Sequence, residues 1–281
     1  MKHFLELLLM CLLPAVAVSQ EKPIRSITSS TMIGLGVSEI LDTYLTPLDY
    51  MGAQIQLINE RLQVASYGKG KWVNQQLVGA DFSANDNEAQ NGLLMSGFLN
   101  YSWTTMRRAQ VMPGLTLMAG PIAMGETGFI YNVRNTNNPV SAKLALAVGG
   151  SAMAIYQINI WPRFPITARY QMSMPMMRVF FSPHYEQSYY EIFSLGNKKG
   201  IFRFGSFNNT FDMNSLLTLD MPLGALNLRI GFYTKIQNTH VYQIKNRRIS
   251  NTFLVGISKE FLPFRKKQTT INASRIDKAL F

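Results

Sequence analysis

From Ile166 to Met174 the chain alternates. Ile166, Ala168, Tyr170, Met172 and Met174 fall on one side, and Thr167, Arg169, Gln171 and Ser173 on the other. Leu226–Lys235, Leu99–Thr104 and Tyr156–Ile160 repeat the pattern. A period of two is that of a β-strand with one apolar and one polar face. Divided at its turn signals, the chain predicts strands over Thr31–Ile40, Met51–Ala65, Lys71–Ser83, Leu93–Met106, Leu115–Met124 and Lys143–Ile160. Further strands are predicted over Ile166–Phe180, Ser188–Leu195, Ile201–Phe207, Ser215–Met221, Ala225–Ile236 and Ile249–Phe261. That is about twelve, within a range of about ten to fourteen, and an even number suits a closed membrane barrel.

The connections sort by length. One end receives Tyr67–Gly70, Arg107–Gly114, Trp161–Pro165, Asn197–Gly200 and Pro222–Gly224, mostly short and rich in Gly or Pro. The other receives Leu41–Tyr50, Ala84–Gly92, Gly125–Val140, Ser182–Gln187, Asn208–Asn214 and Gln237–Arg248, mostly longer. Short periplasmic turns opposite long external loops are the asymmetry of outer-membrane barrels.

Composition favours the membrane version of this all-β pattern over a soluble one. Only 15% of residues are charged against 47% hydrophobic, where roughly 25% charge is usual in soluble domains. Beyond the N-terminus no apolar run is long enough for a spanning helix. The start itself is basic (Met1-Lys2-His3), then apolar from Phe4 to Val18 apart from Glu6, then small at Ala15, Ala17 and Ser19. It reads as a signal peptide over residues 1–19. Cys11 is the only cysteine, so the mature chain is expected to hold no disulfide, thiol nucleophile or cysteine metal cage. The fold class expected is a transmembrane antiparallel β-barrel over residues 20–264, both termini periplasmic, followed by a periplasmic tail over residues 265–281. Aromatics near strand ends, such as Trp72, Tyr101, Trp103, Trp161, Phe164 and the Tyr189–Tyr190 pair, suit interfacial girdles. The last-strand aromatic is expected at Phe261 or Phe264.

The formal charge of +11 would fit a nucleic-acid binder, but an exported chain does not meet that ligand. The expected partners are outer-membrane lipid and lipopolysaccharide, with the barrel-assembly machinery during insertion and no nucleic acid. Arginines Arg169, Arg203 and Arg229 recur on polar strand faces and are expected in the lumen, with Glu60, Asp81, Asp220 and Glu260 as available partners.

Three segments carry a resemblance. They are Leu41-Asp42-Thr43-Tyr44-Leu45-Thr46-Pro47-Leu48-Asp49-Tyr50, then Tyr131–Pro139 (YNVRNTNNP), then Phe181-Ser182-Pro183 with Ser188–Phe193 (SYYEIF) and Leu195-Gly196-Asn197. In this order they resemble DUF3316, a domain-of-unknown-function family of exported Bacteroidota proteins. The resemblance spans nearly the whole mature chain. It implies an outer-membrane β-barrel and supplies no activity. Where the family shows a small residue, this chain has Glu186. On the predicted topology all three motifs begin at the external end.

Candidate chemistry therefore centres there. His184 lies between Ser182 and Ser188, and Asn135, Asn137 or Glu191 could orient its ring, the elements of a Ser–His hydrolase acting on lipid. The His-x-Ser-Asn-Gly signature of the outer-membrane phospholipase is absent, and His240 is the one other histidine beyond the leader. The amides and guanidinium of Arg134, Asn135, Asn137 and Asn138, with Asp42 and Glu191, fit recognition of a phosphate or sugar. Turn chemistry explains the asparagines equally well. Asp81 and the Asn85–Glu88 run match no calcium-loop spacing. No metal and no cofactor is expected. The sequence thus favours a non-enzymatic barrel, namely a narrow channel or a structural or ligand-binding surface protein, over a lipid- or lipopolysaccharide-modifying hydrolase.

Overall fold

The computed structural model describes residues 24–161, 164–185, 187–261 and 276–277. The signal peptide, Glu186, Phe264 and most of the tail lie outside the described residues. Long strands dominate: β1 (Ile24–Arg25), β2 (Ile27–Asp42), β3 (Tyr50–Val64), β4 (Trp72–Asn87), β5 (Leu93–Met112), β6 (Leu115–Asn132) and β7 (Val140–Trp161). They continue as β8 (Phe164–Phe181), β9 (Phe202–Ser206), β10 (Thr210–Leu223), β11 (Leu226–Val241), β12 (Ile244–Phe261) and β13 (Ile276–Asp277).

Each strand from β2 to β8 pairs antiparallel with the next. β10, β11 and β12 continue the sheet back to β2, and β10 pairs with β8 to close it. The result is a closed ten-stranded barrel with one extra strand, β9. β9 pairs with the upper part of β8 (Phe181↔Phe202 to Met177↔Ser206), and β10 with the lower part (Ser173↔Asn214 to Thr167↔Asp220). Both run down the same neighbour. They form one stave interrupted at Phe207–Asn209, where Asn209 Oδ1 accepts from the Ser206 amide and the Thr210 hydroxyl donates to the Ser206 carbonyl. The expected external loop at Asn208–Asn214 is therefore an irregularity within a stave.

A second correction compensates for the first. Ser188–Leu195, expected as a strand, holds the short helix α1 (Tyr189–Phe193). The Ser188 side chain accepts from the Glu191 amide and the Glu191 carboxylate accepts from the Ser188 amide, a capping box. Asn197–Gly200 then lies at the same end as α1, not at the opposite end. One false strand and one split stave turn twelve into ten, so even parity survives. The other strands stand close to their expected places, most of them longer.

Polarity is inverted relative to a soluble protein. Ile33, Leu35, Val37, Leu99, Trp103, Leu146 and Phe253 point outward and are exposed, whereas Glu60, Gln75, Arg169, Arg229, Lys235 and Arg248 are buried inside. An apolar belt around a polar interior is the membrane arrangement. Tyr101 and Trp103 are exposed on this belt, but in the middle of the lengthened β5 rather than near a strand end as expected, and the Tyr189–Tyr190 pair lies outside the strands altogether. The termini end carries the short hairpin turns, including Gly114 and Gly224 at positive φ, and there β1 pairs parallel with β13 through Ile24↔Ile276 and Arg25↔Asp277. Phe261 closes the last barrel strand.

The lumen is filled in layers. An apolar cluster of Leu62, Val64, Val73, Met106, Met118, Met153 and Ile155 closes the termini end. Met32, Ile58, Leu216, Tyr233 and Leu254 occupy the middle. Ile40, Leu45, Tyr50, Leu94, Phe98 and Ile130 lie beneath the loops. Two ionic layers separate these three. Gly128 shows how tightly the upper layer packs. A Cβ there would lie 2.4 Å from the Gly97 carbonyl oxygen and 2.5 Å from the Phe98 ring.

Candidate functional site

The lower ionic layer centres on Glu60. Its Oε2 takes bonds from Arg169 and Arg229, both at 2.7 Å, and Gln75 donates to Oε1 at 2.5 Å. Arg229 also grips Asp220 through Nε at 2.5 Å and Nη2 at 2.6 Å. Arg169 and Arg229 are thus lumen residues, as the alternation of β8 and β11 requires. Gln171 and Ser151 extend the network across β8 and β7. The paired charges offset the cost of removing each from water, which unpaired they could not bear.

The upper layer centres on Glu126, which sequence reasoning missed. Lys235 and Arg248 bind its Oε2, Arg248 at 2.6 Å. Arg178 lies 3.6 Å from its Oε1 and 2.8 Å from Asp212 Oδ2. Arg248 also stacks on Phe98, its guanidinium carbon 3.4 Å from the ring centre, a cation–π contact. Arg178 owes its place to a β-bulge. Pro175 pairs with Gly149 and Met177 with Val148, leaving Met176 unopposed. Met176 and Met177 both face outward, and the flipped parity turns Arg178 inward.

Above these layers the three motif segments meet. The Tyr44 hydroxyl donates to the Gln187 carbonyl at 2.8 Å and accepts from Asn138 Nδ2 at 2.7 Å. One hydroxyl therefore joins the β2–β3, β6–β7 and β8–β9 loops. Tyr189 stands edge-on to Tyr44 with ring centres 6.3 Å apart and stacks between Phe181 and Phe193. Its hydroxyl accepts from the Ala142 amide at 2.5 Å. That amide lies on β7 above Ala145↔Phe180, the uppermost pair of β7 with β8. Burial raises both phenols above their ordinary value, and Tyr189 is pushed up to about 12. Gln187, itself buried, accepts from the His184 amide and donates to the Lys199 carbonyl.

The predicted site residues separate on this frame. Asp42 is buried, pairs with Lys143 at 2.8 Å and caps the Tyr44 amide. Asn135 accepts from the amides of Asn137 and Asn138, so turn chemistry accounts for it. Asn138 touches Tyr44, while the Asn137 and Arg134 side chains are exposed. Arg134 does not pair with Asp42 or with Asp49, which binds Arg247. The Glu191 carboxylate accepts from the Ser188 amide and caps α1, and among the described residues it makes no bond to the His184 ring. Arg203 is not in the lumen. It sits at the loop end, where Nη2 contacts His184 Nε2 and the guanidinium lies 4.5 Å from the centre of the Tyr242 ring. The reason is topological: β9 sits alongside the top of β8, level with the loops. His184 is thus engaged by Arg203 and Tyr242. Neither Ser182 nor Ser188 hydrogen-bonds to its ring among the described residues, and the Ser188 hydroxyl caps α1. His240 is exposed on β11, opposite Lys245. Among the described residues no group of three or more His, Cys, Asp or Glu is placed to hold a metal ion.

The expected external loop Gln237–Arg248 is instead almost all strand, with only Tyr242 and Gln243 turning between β11 and β12. An inverted-polarity, closed antiparallel barrel with most of its longer loops at one end and mostly short turns at the other is an outer-membrane-type β-barrel. The family model described as "Protein of unknown function (DUF3316)" matches residues 4–268, and the chain belongs to this family. Comparison with curated proteins gives no match. Among solved structures, the chain is similar to the outer membrane protease OmpT from Escherichia coli, with a TM-score of 0.43 and 9% identity, covering 85% of this chain and 97% of that one. It is also similar to the transport unit of the autotransporter AIDA-I from Escherichia coli, with a TM-score of 0.44 and 9% identity over 93% and 97% of the two chains. The translocator domain of NalP from Neisseria meningitidis gives a TM-score of 0.40 and 10% identity over 87% and 90%. At this level no chemistry transfers.

Proposed function

We propose that this protein is exported through a cleaved signal peptide and resides in the outer membrane as a closed, non-enzymatic barrel whose loop end binds outer-leaflet lipid and lipopolysaccharide. The filled lumen carries this reading. Apolar layers close both ends around two ion-paired layers, and the voids at the Glu126 layer and at mid-lumen measure ≈ 40 and ≈ 30 Å³, room for a few waters. That favours a binding or structural barrel over a narrow channel. At the loop end the Tyr44 hydroxyl fixes the loops against one another. The β6–β7 loop carries exposed Arg134, and the β8–β9 connection carries exposed Lys198 and Lys199 together with exposed Tyr190, Phe193 and Leu195. Cations beside aromatic and aliphatic groups suit a phosphorylated saccharide head and its acyl chains.

Two measurements test the reading. Protein reconstituted in planar bilayers is expected to give no conductance above background, and steady unitary openings would sink the closed-barrel claim. Detergent-solubilised protein is expected to bind lipopolysaccharide, with weaker binding after joint Arg134→Gln, Lys198→Gln and Lys199→Gln substitution. Equal binding by wild type and triple variant would remove the loop surface as the site.

A further inference from the structure

Beneath the loops, beside the Glu126 layer, lies the ≈ 40 Å³ cavity. Its charged lining is Lys143, Arg178, Arg248 and Glu126, with Asp42 on Lys143 and Asp212 on Arg178 just outside it. The two arginines are already anchored. Arg248 holds Glu126 through Nη2 and lies on Phe98, and Arg178 holds Asp212 through Nη1. Each keeps a buried nitrogen without a partner among the described residues, Nη1 of Arg248 and Nε of Arg178, and Asn246 Nδ2 is a third. The Arg248 side chain is only 4% exposed. Buried polar groups left unbonded in a native protein are rare and costly. Among the lining residues all three are donors, the unpaired acceptor Asp212 Oδ1 lying just outside the lining, so the matching occupant is rich in acceptors.

The cavity also reaches the membrane side. Leu144 lines it and is largely exposed on the outer face of β7, in the part of β7 that lies above its last pairing with β8. A group carried on a lipid has a lateral approach there.

We propose that this cavity is a binding site for a phosphate-like oxyanion, held by Arg178, Arg248 and Asn246. Two arginines fixed through their other nitrogens are preorganised for such a ligand, because the ordering has been done by folding. None of these three residues belongs to the loop surface proposed above, so the two sites fail or stand independently.

The test is thermal unfolding of the full chain in zwitterionic detergent, titrated with inorganic phosphate or with chloride at matched ionic strength. A parallel arm uses phosphatidylcholine vesicles with and without phosphatidic acid. A ligand that binds only the folded state raises the Tm with concentration. A phosphate-specific rise assigns the free ion. A rise only with phosphatidic acid assigns a lipid head group. Either supports the site. Asn246→Leu leaves every ion pair intact and is expected to weaken the apparent affinity about tenfold, through loss of one buried donor. Arg248→Gln is expected to abolish the effect. If Arg248→Gln does not fold, Asn246→Leu carries the test. Identical Tm values in phosphate and chloride, together with no phosphatidic acid effect, mean the cavity holds water only and overturn the proposal. So does a Tm rise that Asn246→Leu leaves unchanged.

Discussion

The Arg229 guanidinium meets the Glu60 carboxylate at 2.7 Å, with neither side chain exposed to solvent. Glu60 is shared with Arg169, so one carboxylate from β3 binds β8 and β11 across the lumen. Glu60→Ala strands two buried guanidinium groups, one of which retains Asp220. The expected destabilisation is about 3–5 kcal/mol, the usual consequence of removing one partner of a buried ion pair. It is measured as urea unfolding in detergent, or as a lower temperature for the gel-mobility change that folded barrels show on heating. Stability within experimental error of wild type would mean that the layer fills space without holding the strands.

Tyr44 makes a different kind of cross-link. Tyr44→Phe keeps the ring against Tyr189 but removes the bonds to Gln187 and Asn138. The barrel below is untouched, so global unfolding is expected to change by only about 1–2 kcal/mol. The local effect is larger. Backbone amide exchange in the β6–β7 and β8–β9 loops is expected to quicken together, because both bond to that one hydroxyl. Unchanged exchange in either loop would show that its order has another source.

The loop cluster is also expected to respond to alkali. Tyr189 titrates at about 12 in the folded protein against an ordinary value of 10.0, because burial disfavours the phenolate. The sign follows. Below pH 10 the hydroxyl is neutral whether the loops are closed or open, and its full contribution to the closed form is present. As pH rises from about 10 to 12 the open form ionises first, and the closed form loses stability. Loop proteolysis should therefore accelerate across that window in wild type. Tyr189→Phe is expected to be looser at neutral pH, since the Ala142 amide loses its acceptor, with a flatter rise across the window. Identical alkaline profiles for the two proteins would exclude Tyr189 as the responsible group.

Period-two alternation made most of the barrel legible, because a strand between lipid and a polar lumen must alternate. What alternation misses is where a side chain stands along the barrel axis. Arg203 alternates properly with Phe202 and Phe204, yet β9 places it level with the loops. Glu126 fell outside the predicted strand because Gly125 and Gly128 flank it like turn residues. Gly128 is required instead by the approach of Phe98. The Glu126 layer gathers residues from separate strands, and only their register brings them together. The segment Ser188–Phe193 misled through its β-favouring Tyr, Ile and Phe. Its Ser-x-x-Glu spacing is nonetheless a capping-box signature, and it marks the helix without any structure. The convergence of the three motif segments was legible from loop parity, although the hydroxyl that joins them was not.

The bulge at Met176 allows the sharpest test of the upper layer. Met176 is the extra residue on β8, opposite no partner on β7. Deleting it would restore regular pairing and flip every later residue of β8. Arg178 would then face lipid, while Glu126 and Asp212 would each lose a cation. An arginine facing the bilayer costs about 2–4 kcal/mol at the midplane, less toward the interface, and the stranded carboxylates add to it. Met176→Ala keeps the bulge and changes only an outward side chain. It is expected to fold with stability within about 0.5 kcal/mol of wild type. The deletion is expected to yield little folded barrel, read as the fraction of heat-modifiable band after refolding into detergent. If the deletion folds as well as Met176→Ala, the bulge does not set the facing of Arg178, and the upper layer must tolerate its loss.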